Sequence, residues 1–284
     1  MPQARCSRKI YSTDKKLKDQ KPKANKKLGQ HYLNNQKTIE NICNDFEGMY
    51  DIILEIGPGP ATLTKELVKK NKSVYLIEKD DRFIQILEKL GPCPKIFNVD
   101  ALEFDLNKSV DFQEDQKVWL VSNLPYNVGT PLMIKYMKFP QVRFMTLMFQ
   151  KEVAQKIYLP LYGEKKQSKE MNSLHALVNN YFEISLLQKV APGQFSPPPK
   201  VDSAVISLTK RENPIISWED FEKYEQFLRK IFSNRRKQLG SVLKNFFDKD
   251  IVIKTFDSLG IELSRRSETL RFEEVVSLYQ QLKN

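Results

Sequence analysis

Cysteine and histidine are scarce in this sequence. Its 284 residues contain three cysteines, Cys6, Cys43 and Cys93, and two histidines, His31 and His175. Cysteines that are odd in number and far apart predict neither a disulfide framework nor a metal-binding knuckle, and they are typical of a reducing compartment. We therefore expect a cytoplasmic protein without a metal site.

Long apolar runs are absent as well. No run approaches the roughly 18 apolar residues that a membrane-spanning helix needs, and no apolar segment of signal-peptide length follows the basic start. The sequence thus predicts no membrane association. Its apolar content of 40% over 284 residues is sufficient for a core in one large domain, or in one large and one small domain.

Acidic residues are rare in the first 30 positions. These positions contain ten lysines or arginines and only two acidic residues, Asp14 and Asp19, in a chain whose net charge is +11. A lysine-rich segment with almost no large apolar residues cannot bury enough surface to offset the entropy of ordering, so residues 1–26 are predicted to be a mobile leader. Its charge would attract polyanions by counterion release, although a solvated tail that only aids solubility is the alternative.

Short apolar runs alternate with segments of helical periodicity between residues 52 and 149. The runs cover residues 52–56, 73–77, 95–99, 118–121 and 143–149. Continuous apolar strands joined by helices indicate a mostly parallel sheet that is covered on both faces. The predicted fold class is therefore α/β, a Rossmann-like, doubly wound domain.

The pattern changes after residue 160. Two further strands, at 183–190 and 200–209, are expected to form an antiparallel edge of the main sheet. From about residue 213 onward only helical periodicity persists, including a long stretch at 218–247. We therefore predict an α/β domain at 27–211 and a small helical domain at 212–284.

Glycine and acidic residues mark the ends of three successive predicted strands. The first strand contains Glu55 and runs into Gly57 and Gly59, the second ends at Glu78, and the third ends at Asp100. Glycines allow a tight turn, and ligands bind beyond the carboxyl ends of parallel strands. A glutamate there can accept hydrogen bonds from ribose hydroxyls, and an aspartate from an adenine amino group. Together these residues predict a nucleoside pocket, although each alone is more often a solvated strand end or an ordinary turn.

Two phosphate-binding signatures are missing from this region. The Gly-Pro-Gly-Pro loop lacks the third glycine of the dinucleotide fingerprint, and no GxxxxGK[ST] loop occurs. A cofactor without phosphates to cradle fits better than a dinucleotide. S-adenosyl-L-methionine is therefore the predicted cofactor.

Seven segments resemble those of a known family. They are KKLGQHYLNN, EIGPGPATLT, LIEKD, NVDAL, NLPYNVGTPLM, FQKEVAQKI and FSPPPKVDSAV, in the order typical of the bacterial small-subunit (16S) rRNA adenine dimethyltransferases. The resemblance spans about residues 26–284 and implies a class I methyltransferase domain with a small helical C-terminal domain that contacts RNA. It also implies dimethylation of the exocyclic amines of two adjacent adenosines, in a hairpin near the 3′ end of small-subunit rRNA, during ribosome biogenesis.

The same resemblance assigns the cofactor contacts by their positions in these motifs. His31 stands where many members have asparagine, and both side chains can form hydrogen bonds. The contacts implied are His31, Leu33, Glu55, Gly57, Gly59, Glu78, Asp100, Ala101 and Asn123.

The chemistry is assigned to the segment SNLPYNV, residues 122–128, and to one distant aromatic. Acceptors for both protons of an adenine amine favour a more reactive nitrogen, and we expect them to be the Asn123 side-chain oxygen and a carbonyl at or beside Pro125. Tyr126 is expected to stack on the flipped base, and Phe195, by family position, to cover its other face. A core aromatic and a loop anchor are the respective alternatives. The predicted catalytic residues are Asn123, Leu124, Pro125, Tyr126 and Phe195.

Related branches and other functions compete with this interpretation. Macrolide-resistance methyltransferases of large-subunit rRNA tend to have isoleucine in place of Leu124 and asparagine in place of Asp202, and mitochondrial relatives tend to have phenylalanine in place of Tyr126. These residues favour the bacterial small-subunit branch. Intact site residues disfavour a non-enzymatic assembly factor, and the pairing of NLPY with FSPPPKVDSAV disfavours a DNA or small-molecule methyltransferase.

RNA binding away from the target base is predicted at a basic cluster near residue 230. At helical spacing three of its members, Arg229, Arg236 and Lys237, would share a face suited to phosphate contacts, although a solvated charged face is the alternative. The partner expected is the immature small ribosomal subunit, bound by a monomer. The cluster contains Arg229, Lys230, Arg235, Arg236 and Lys237.

Overall fold

The computed structural model describes residues 22–25, 29–91, 94–159 and 170–283. Most of the predicted leader, residues 1–21 and 26, lies outside the described residues. The described residues of 1–151 and 186–209 form one compact unit, and those of 152–185 and 210–284 form a second. The domain boundaries expected at 27–211 and 212–284 stay a prediction, because compact packing does not by itself define a functional domain.

In the part of the chain that the structure describes, nine strands form two sheets. In the large sheet the strand order is β4-β3-β2-β5-β6-β9-β7, and β1 pairs with β8 in a small second sheet. The strands are Tyr32–Leu33 (β1), Ile52–Ile56 (β2), Ser73–Glu78 (β3), Lys95–Asn98 (β4), Val118–Asn123 (β5), Val142–Gln150 (β6), Phe182–Val190 (β7), Phe195–Ser196 (β8) and Ser203–Lys210 (β9). Strands β2 to β6 pair in parallel, and β9 runs antiparallel to β6. The predicted mostly parallel sheet is confirmed, as is the antiparallel pairing of a late strand.

Eleven α-helices accompany these strands in the described part of the chain. They are Gln36–Cys43 (α1), Thr64–Leu67 (α2), Asp81–Leu87 (α3), Leu106–Ser109 (α4), Gly129–Met137 (α5), Lys151–Ile157 (α6), Ser173–Tyr181 (α7), Phe221–Ile231 (α8), Leu239–Leu243 (α9), Lys249–Leu259 (α10) and Phe272–Leu282 (α11). Side-chain caps begin several of them: Asn35 accepts a hydrogen bond from the backbone of Thr38, and Asp80 from that of Arg82. Each such cap satisfies an N–H group that the first helical turn leaves without a partner. No helix in the described ranges has the length and apolarity to cross a bilayer.

The core of the first unit is built on the central strands. Every residue of β2 is buried, as expected of a central strand with both faces covered. The largest buried side chain is Trp119 in β5, which packs on Tyr50 with 4.7 Å between ring centroids. Its indole nitrogen donates to Thr146 Oγ1 over 2.9 Å, so the one polar atom of this side chain has a partner. This rigid centre holds the carboxyl ends of β2, β3, β4 and β5 in register.

The small sheet was not predicted from the sequence. Leu33 of β1 lies opposite Phe195 of β8, and both side chains are almost completely buried. A strand of two residues has no measurable periodicity, so only its pairing in space reveals it. This pairing ties the segment before α1 to the proline-rich segment before β9.

The second unit is helical from residue 211 onward, but its long helical stretch is interrupted. Helix α8 ends at Ile231 and α9 begins at Leu239, where the sequence predicted helical periodicity throughout 218–247. Ser233 Oγ donates to the carbonyl of Lys230 over 2.8 Å, a local bond that competes with helix continuation. Arg236 and Lys237 therefore do not share a helical face with Arg229. That part of the prediction is wrong.

Candidate active site

The glycine turn after β2 forms one wall of a pocket. Gly57 and Gly59 have φ angles of +65° and +52°, a left-handed conformation that favours glycine. The backbone N–H of Gly57 donates to the carbonyl of Ile77 over 2.9 Å, which fixes the turn against β3. A Cβ atom built on Gly57 would lie 3.9 Å from Cδ of Pro125. The turn thus adjoins segment 122–128, where the sequence predicted the chemistry.

Glu78 at the end of β3 holds this turn in place. Its Oε2 accepts from the backbone of Gly59 over 2.9 Å, and its Oε1 from the backbone of Asp80 over 2.8 Å. The side chain is 5% exposed, and burial raises its pKa although these two bonds oppose the rise. Each carboxylate oxygen has a second lone pair, so Glu78 can still accept from hydroxyl groups.

Asp100 follows β4 and is held by two donors. Its Oδ2 accepts from Lys79 Nζ over 2.6 Å, and its Oδ1 from the backbone of Leu102 over 2.9 Å. The hydrogen bond from Lys79 is the main reason why the pKa of Asp100 lies below its usual value. The neighbouring carbonyl of Ala101 accepts from Lys135 and Tyr136, each over 3.1 Å. The acceptors at this strand end are therefore fixed in position.

Glu55 lies in β2, two residues before Gly57, and is 2% exposed. Its Oε2 accepts from Thr64 Oγ1 over 2.7 Å. Burial raises the pKa of Glu55 from 4.5 to about 8, and the nearby Glu78 carboxylate adds to the rise. At neutral pH this carboxyl is therefore mostly protonated.

Asn123, the last residue of β5, is anchored through its amide nitrogen. Nδ2 donates to the carbonyl of His31 over 3.0 Å. Among the described residues no hydrogen bond reaches its Oδ1. The preceding Ser122 donates from Oγ to the carbonyl of Ile56 over 2.5 Å, which ties β5 to the end of β2. The amide is thus oriented with its oxygen available as an acceptor.

Tyr126 lies beside His31 rather than in the core. The two rings stack with 5.3 Å between centroids and 27° between planes, and His31 Nδ1 lies 2.8 Å from the carbonyl oxygen of Pro197. The Tyr126 hydroxyl shares a hydrogen bond of 2.7 Å with Ser203 Oγ. Burial raises the pKa of the phenol, so it remains neutral. A half-buried ring with one end fixed is suited to stacking.

The predicted site residues fall into three groups in space. Phe195 is 3% exposed, packs in the core with Leu33 and does not line the pocket, so its stacking role stays a prediction that requires movement of the ring. The basic cluster near residue 230 belongs to the second unit. The remaining residues line one pocket: His31, Leu33, Glu55, Gly57, Gly59, Glu78, Asp100, Ala101, Asn123, Leu124, Pro125 and Tyr126.

Several residues that build this pocket were missed. Arg82 donates to Asp80 and to the carbonyl of Lys23, and Gln30 donates to Asp80 over 3.0 Å. These bonds fasten the segment before β1 to the start of α3. The sequence signal was the charged run EKDDR, which begins at Glu78 and which we interpreted only as a strand end. Within the described ranges, no group of histidine, cysteine, aspartate or glutamate could hold a metal ion.

Most side chains of the basic cluster are exposed, but one of them forms an ion pair. Arg229 forms an ion pair of 2.8 Å with Glu225, whereas no acidic side chain of the described chain pairs with Arg235, Arg236 or Lys237. These last three residues lie in the turn between α8 and α9, and all are exposed. The unpaired charge is therefore concentrated in this turn.

A mostly parallel sheet with a glycine turn and acidic strand ends around one pocket is the architecture of a class I methyltransferase. The crystal structure of a dimethyladenosine transferase from Plasmodium falciparum resembles this chain with a TM-score of 0.71 and 25% identity, over 88% of this chain and 97% of that one. A crystal structure of a 23S rRNA methyltransferase shares the fold, with a TM-score of 0.66 and 24% identity, over 89% of this chain and all of that one. The predicted fold class is confirmed.

The ribosomal RNA adenine dimethylase family matches residues 21–284. A ribosomal RNA small subunit methyltransferase A from Clostridium botulinum is 38% identical over 258 residues, which cover 89% of this chain and 91% of that protein. A protein of the same name from Clostridium perfringens is 36% identical over 259 residues, 89% of this chain and 88% of that protein. The chain therefore belongs to the ribosomal RNA adenine dimethylase family. The predicted enzyme class, an rRNA adenine dimethyltransferase, is confirmed by this membership.

Proposed function

We propose that this enzyme transfers methyl groups from S-adenosyl-L-methionine to the exocyclic amines of two adjacent adenosines, in a hairpin near the 3′ end of small-subunit rRNA, during assembly of the subunit. The observation that carries the proposal is the anchored amide of Asn123, a residue that lines the same pocket as Glu78 and Asp100 and whose amide oxygen has no hydrogen bond from the described residues. An acceptor fixed before the substrate arrives costs no reorganisation during reaction.

The polar groups of the pocket fit S-adenosylmethionine better than a phosphate-bearing cofactor. Glu78 and Asp100 offer carboxylate oxygens to ribose hydroxyls and to an adenine amine. The cations beside them are already engaged, because Lys79 pairs with Asp100 and Arg82 pairs with Asp80. A pyrophosphate would meet acceptors rather than donors here. When bound, the cofactor would supply a methyl group on a positively charged sulfur.

The chain's own contribution to catalysis is orientation. Asn123 Oδ1 would accept one proton of the target amine, and a carbonyl at or beside Pro125 would accept the other. The proline ring restricts the backbone at that point. Tyr126 would hold the flipped base by stacking, with its hydroxyl fixed by Ser203 and the ring of His31 displaced. The methylated amine is acidic and loses its proton to solvent, directly or through these acceptors, so no general base is required.

The small subunit is favoured over the large one as the source of RNA. Proteins named small subunit methyltransferases reach 36 to 38% identity with this chain, whereas the 23S rRNA methyltransferase is 24% identical. The same branch is favoured by three residues within the motifs, Leu124, Tyr126 and Asp202. The substrate proposed is therefore an immature small subunit, bound by one copy of the enzyme in the cytoplasm.

The test is methyl transfer from labelled S-adenosylmethionine to small subunits that lack the modification, followed by mapping of the modified nucleotides. We expect two dimethyladenosines near the 3′ end of small-subunit rRNA. Label in large-subunit rRNA would assign the enzyme to the resistance branch. No transfer to either RNA, with a correctly folded protein, would contradict the proposal.

Asn123→Ala tests the catalytic role. Removal of a fixed acceptor should reduce methyl transfer by about 100-fold or more, by comparison with the loss of one preorganised hydrogen bond in other enzymes. Cofactor affinity should fall but remain measurable by calorimetry, since Glu78 and Asp100 are untouched. Asn107→Ala, which removes an exposed amide that does not line the pocket, is the matched control and should stay close to wild type. Near-normal turnover of Asn123→Ala would refute the role.

A further inference from the structure

One exposed aromatic ring has no role in the site described above. Seven large apolar side chains in the described ranges are exposed, and Phe246 is the only aromatic among them, at 45% exposure. It belongs to the second unit and follows helix α9. An aromatic ring that is exposed to water does not gain the free energy of burying its apolar surface. The residues around such a ring can indicate whether it binds a ligand.

The backbone around Phe246 is fixed. The N–H groups of Phe246 and Phe247 both donate to the carbonyl of Leu243, over 2.9 and 3.0 Å, and Asp248 then caps helix α10. Phe247 turns inward and meets Phe227 edge to face, with 6.3 Å between centroids. Its neighbour Phe246 is thereby held outward by a rigid turn.

A cation lies against this ring. Lys230 Nζ is 5.5 Å from the ring centroid of Phe246 and 5.5 Å from that of Phe247. Lys230 belongs to the last turn of α8, and the turn that follows carries Arg235, Arg236 and Lys237, all exposed. Lys230 thus joins the exposed ring to the chain segment that carries the exposed cations. We call these residues the Phe246 platform: Lys230, Arg235, Arg236, Lys237 and Phe246.

We propose that the Phe246 platform binds an unpaired nucleotide of the RNA substrate, with the base stacked on Phe246 and the adjoining phosphates held by the cations. An aromatic ring beside a positive surface is the combination that single-stranded RNA requires, because the ring takes the base and the cations take the backbone. The positive charge of Lys230 at the ring, and of the turn that follows it, attracts RNA and would repel a second copy of this basic chain. This proposal rests on the proposed function and names a second contact for the same RNA.

Binding of the full chain to unmethylated small ribosomal subunits tests the platform. Phe246→Ala should raise the dissociation constant about fivefold or more, which is the lower end of the effect of removing a stacked aromatic. Phe246→Trp should retain or improve affinity. Phe246→Leu should behave like Phe246→Ala, because leucine supplies apolar surface without a π face. Lys230→Met should weaken binding and flatten its salt dependence, whereas Phe246→Ala should leave the salt slope unchanged.

Ile215→Ala is the matched control. Ile215 is 55% exposed in the same unit, and its nearest charged neighbours in sequence include Glu212 and Glu219 rather than a basic cluster. Its replacement should leave affinity unchanged. For Phe246→Ala, methyl transfer should show a higher KM for subunits and an unchanged kcat, and S-adenosylmethionine affinity should match wild type, which also reports a folded protein.

The outcomes separate this proposal from the proposed function. Wild-type affinity in Phe246→Ala overturns the platform while methylation of small subunits still stands. Wild-type affinity in Phe246→Leu together with weak binding of Phe246→Ala overturns base stacking in favour of a plain apolar contact. Tight, Phe246-dependent binding without any methyl transfer supports the platform and contradicts the proposed activity. No binding by the wild-type chain overturns both.

Discussion

Glu55 shows how one residue's surroundings change its chemistry. The family resemblance predicts it as a cofactor contact, and the structure places it in the lining of the pocket, almost completely buried, with a hydrogen bond from Thr64. A carboxyl that is neutral at pH 7 cannot act as a fixed negative charge toward a cofactor. Its hydrogen bond from Thr64 ties β2 to the start of α2, and its raised pKa makes stability depend on pH.

Glu55→Gln should remove this pH dependence. The folded pKa of about 8 lies above the usual 4.5, so the stabilising contribution of the protonated carboxyl is complete below 4.5 and is lost as the pH rises toward 8. The variant should therefore gain stability relative to wild type across that interval, by an amount on the order of a few kcal/mol. Urea unfolding of the cofactor-free proteins between pH 5 and 8.5 measures it.

Glu114→Gln removes an exposed carboxyl and serves as the control for that series. A constant offset between Glu55→Gln and wild type would show that the folded protein ionises Glu55 at its ordinary pKa.

At the scale of elements, short-range packing decides features that sequence periodicity misses. Helix α9 has five residues and is too short to be stable by propensity. It is held by its neighbours: the N–H groups of Leu239 and Gly240 donate to the carbonyls of Arg265 and Leu263, over 2.7 and 3.1 Å. Because the segment around Leu263 lies so close to position 240, only glycine fits there without a shift of its neighbours.

Gly240→Ala should destabilise the second unit. A Cβ atom there would lie 2.7 Å from Leu263 Cδ2 and 3.0 Å from the Leu263 carbonyl oxygen, so the leucine and its backbone would both have to shift. We expect a loss of about 1–3 kcal/mol in the free energy of unfolding, as for other overpacked positions. Gly193→Ala is the control, since nothing lies within 4 Å of its added methyl group. Equal stability of the two variants in urea unfolding would contradict the packing argument.

At the scale of the whole molecule, charge is unevenly distributed along the chain. The first 30 residues hold ten of the 46 lysines and arginines but only two of the 35 acidic residues. Most of these residues lie outside the described ranges. A segment this basic strengthens attraction to RNA over distances set by the ionic strength.

Removal of residues 1–21 should weaken binding to small subunits most at low salt. The slope of log affinity against log salt should become less negative by about 0.7–0.9 for each phosphate contact that is lost. Turnover at saturating subunit concentration should not change, because no pocket residue is removed. A chain with an uncharged glycine and serine leader of equal length should match the truncation. Identical salt slopes for truncated and full-length chains would favour the solvated-tail alternative.

Sequence alone determined the α/β class, the five parallel strands and the residues at their carboxyl ends. Strand periodicity and turn glycines are local signals, and the carboxyl ends of parallel strands necessarily meet at one edge of the sheet. The motifs then narrowed the family to the rRNA adenine dimethyltransferases. Asn123, Tyr126, Glu78 and Asp100 were predicted in this way, and the structure brings all four to one pocket.

Only the tertiary structure decided how those side chains are held. The hydrogen bond from Asn123 to the His31 carbonyl joins residues more than 90 positions apart, and the ion pair of Lys79 with Asp100 joins residues 21 positions apart. The burial of Phe195 depends on packing from several elements. The end of α8 at Ile231 likewise separates cations that helical spacing had placed on one face. Periodicity reports which face of an element is apolar, whereas hydrogen bonds and packing between distant segments depend on the folded chain.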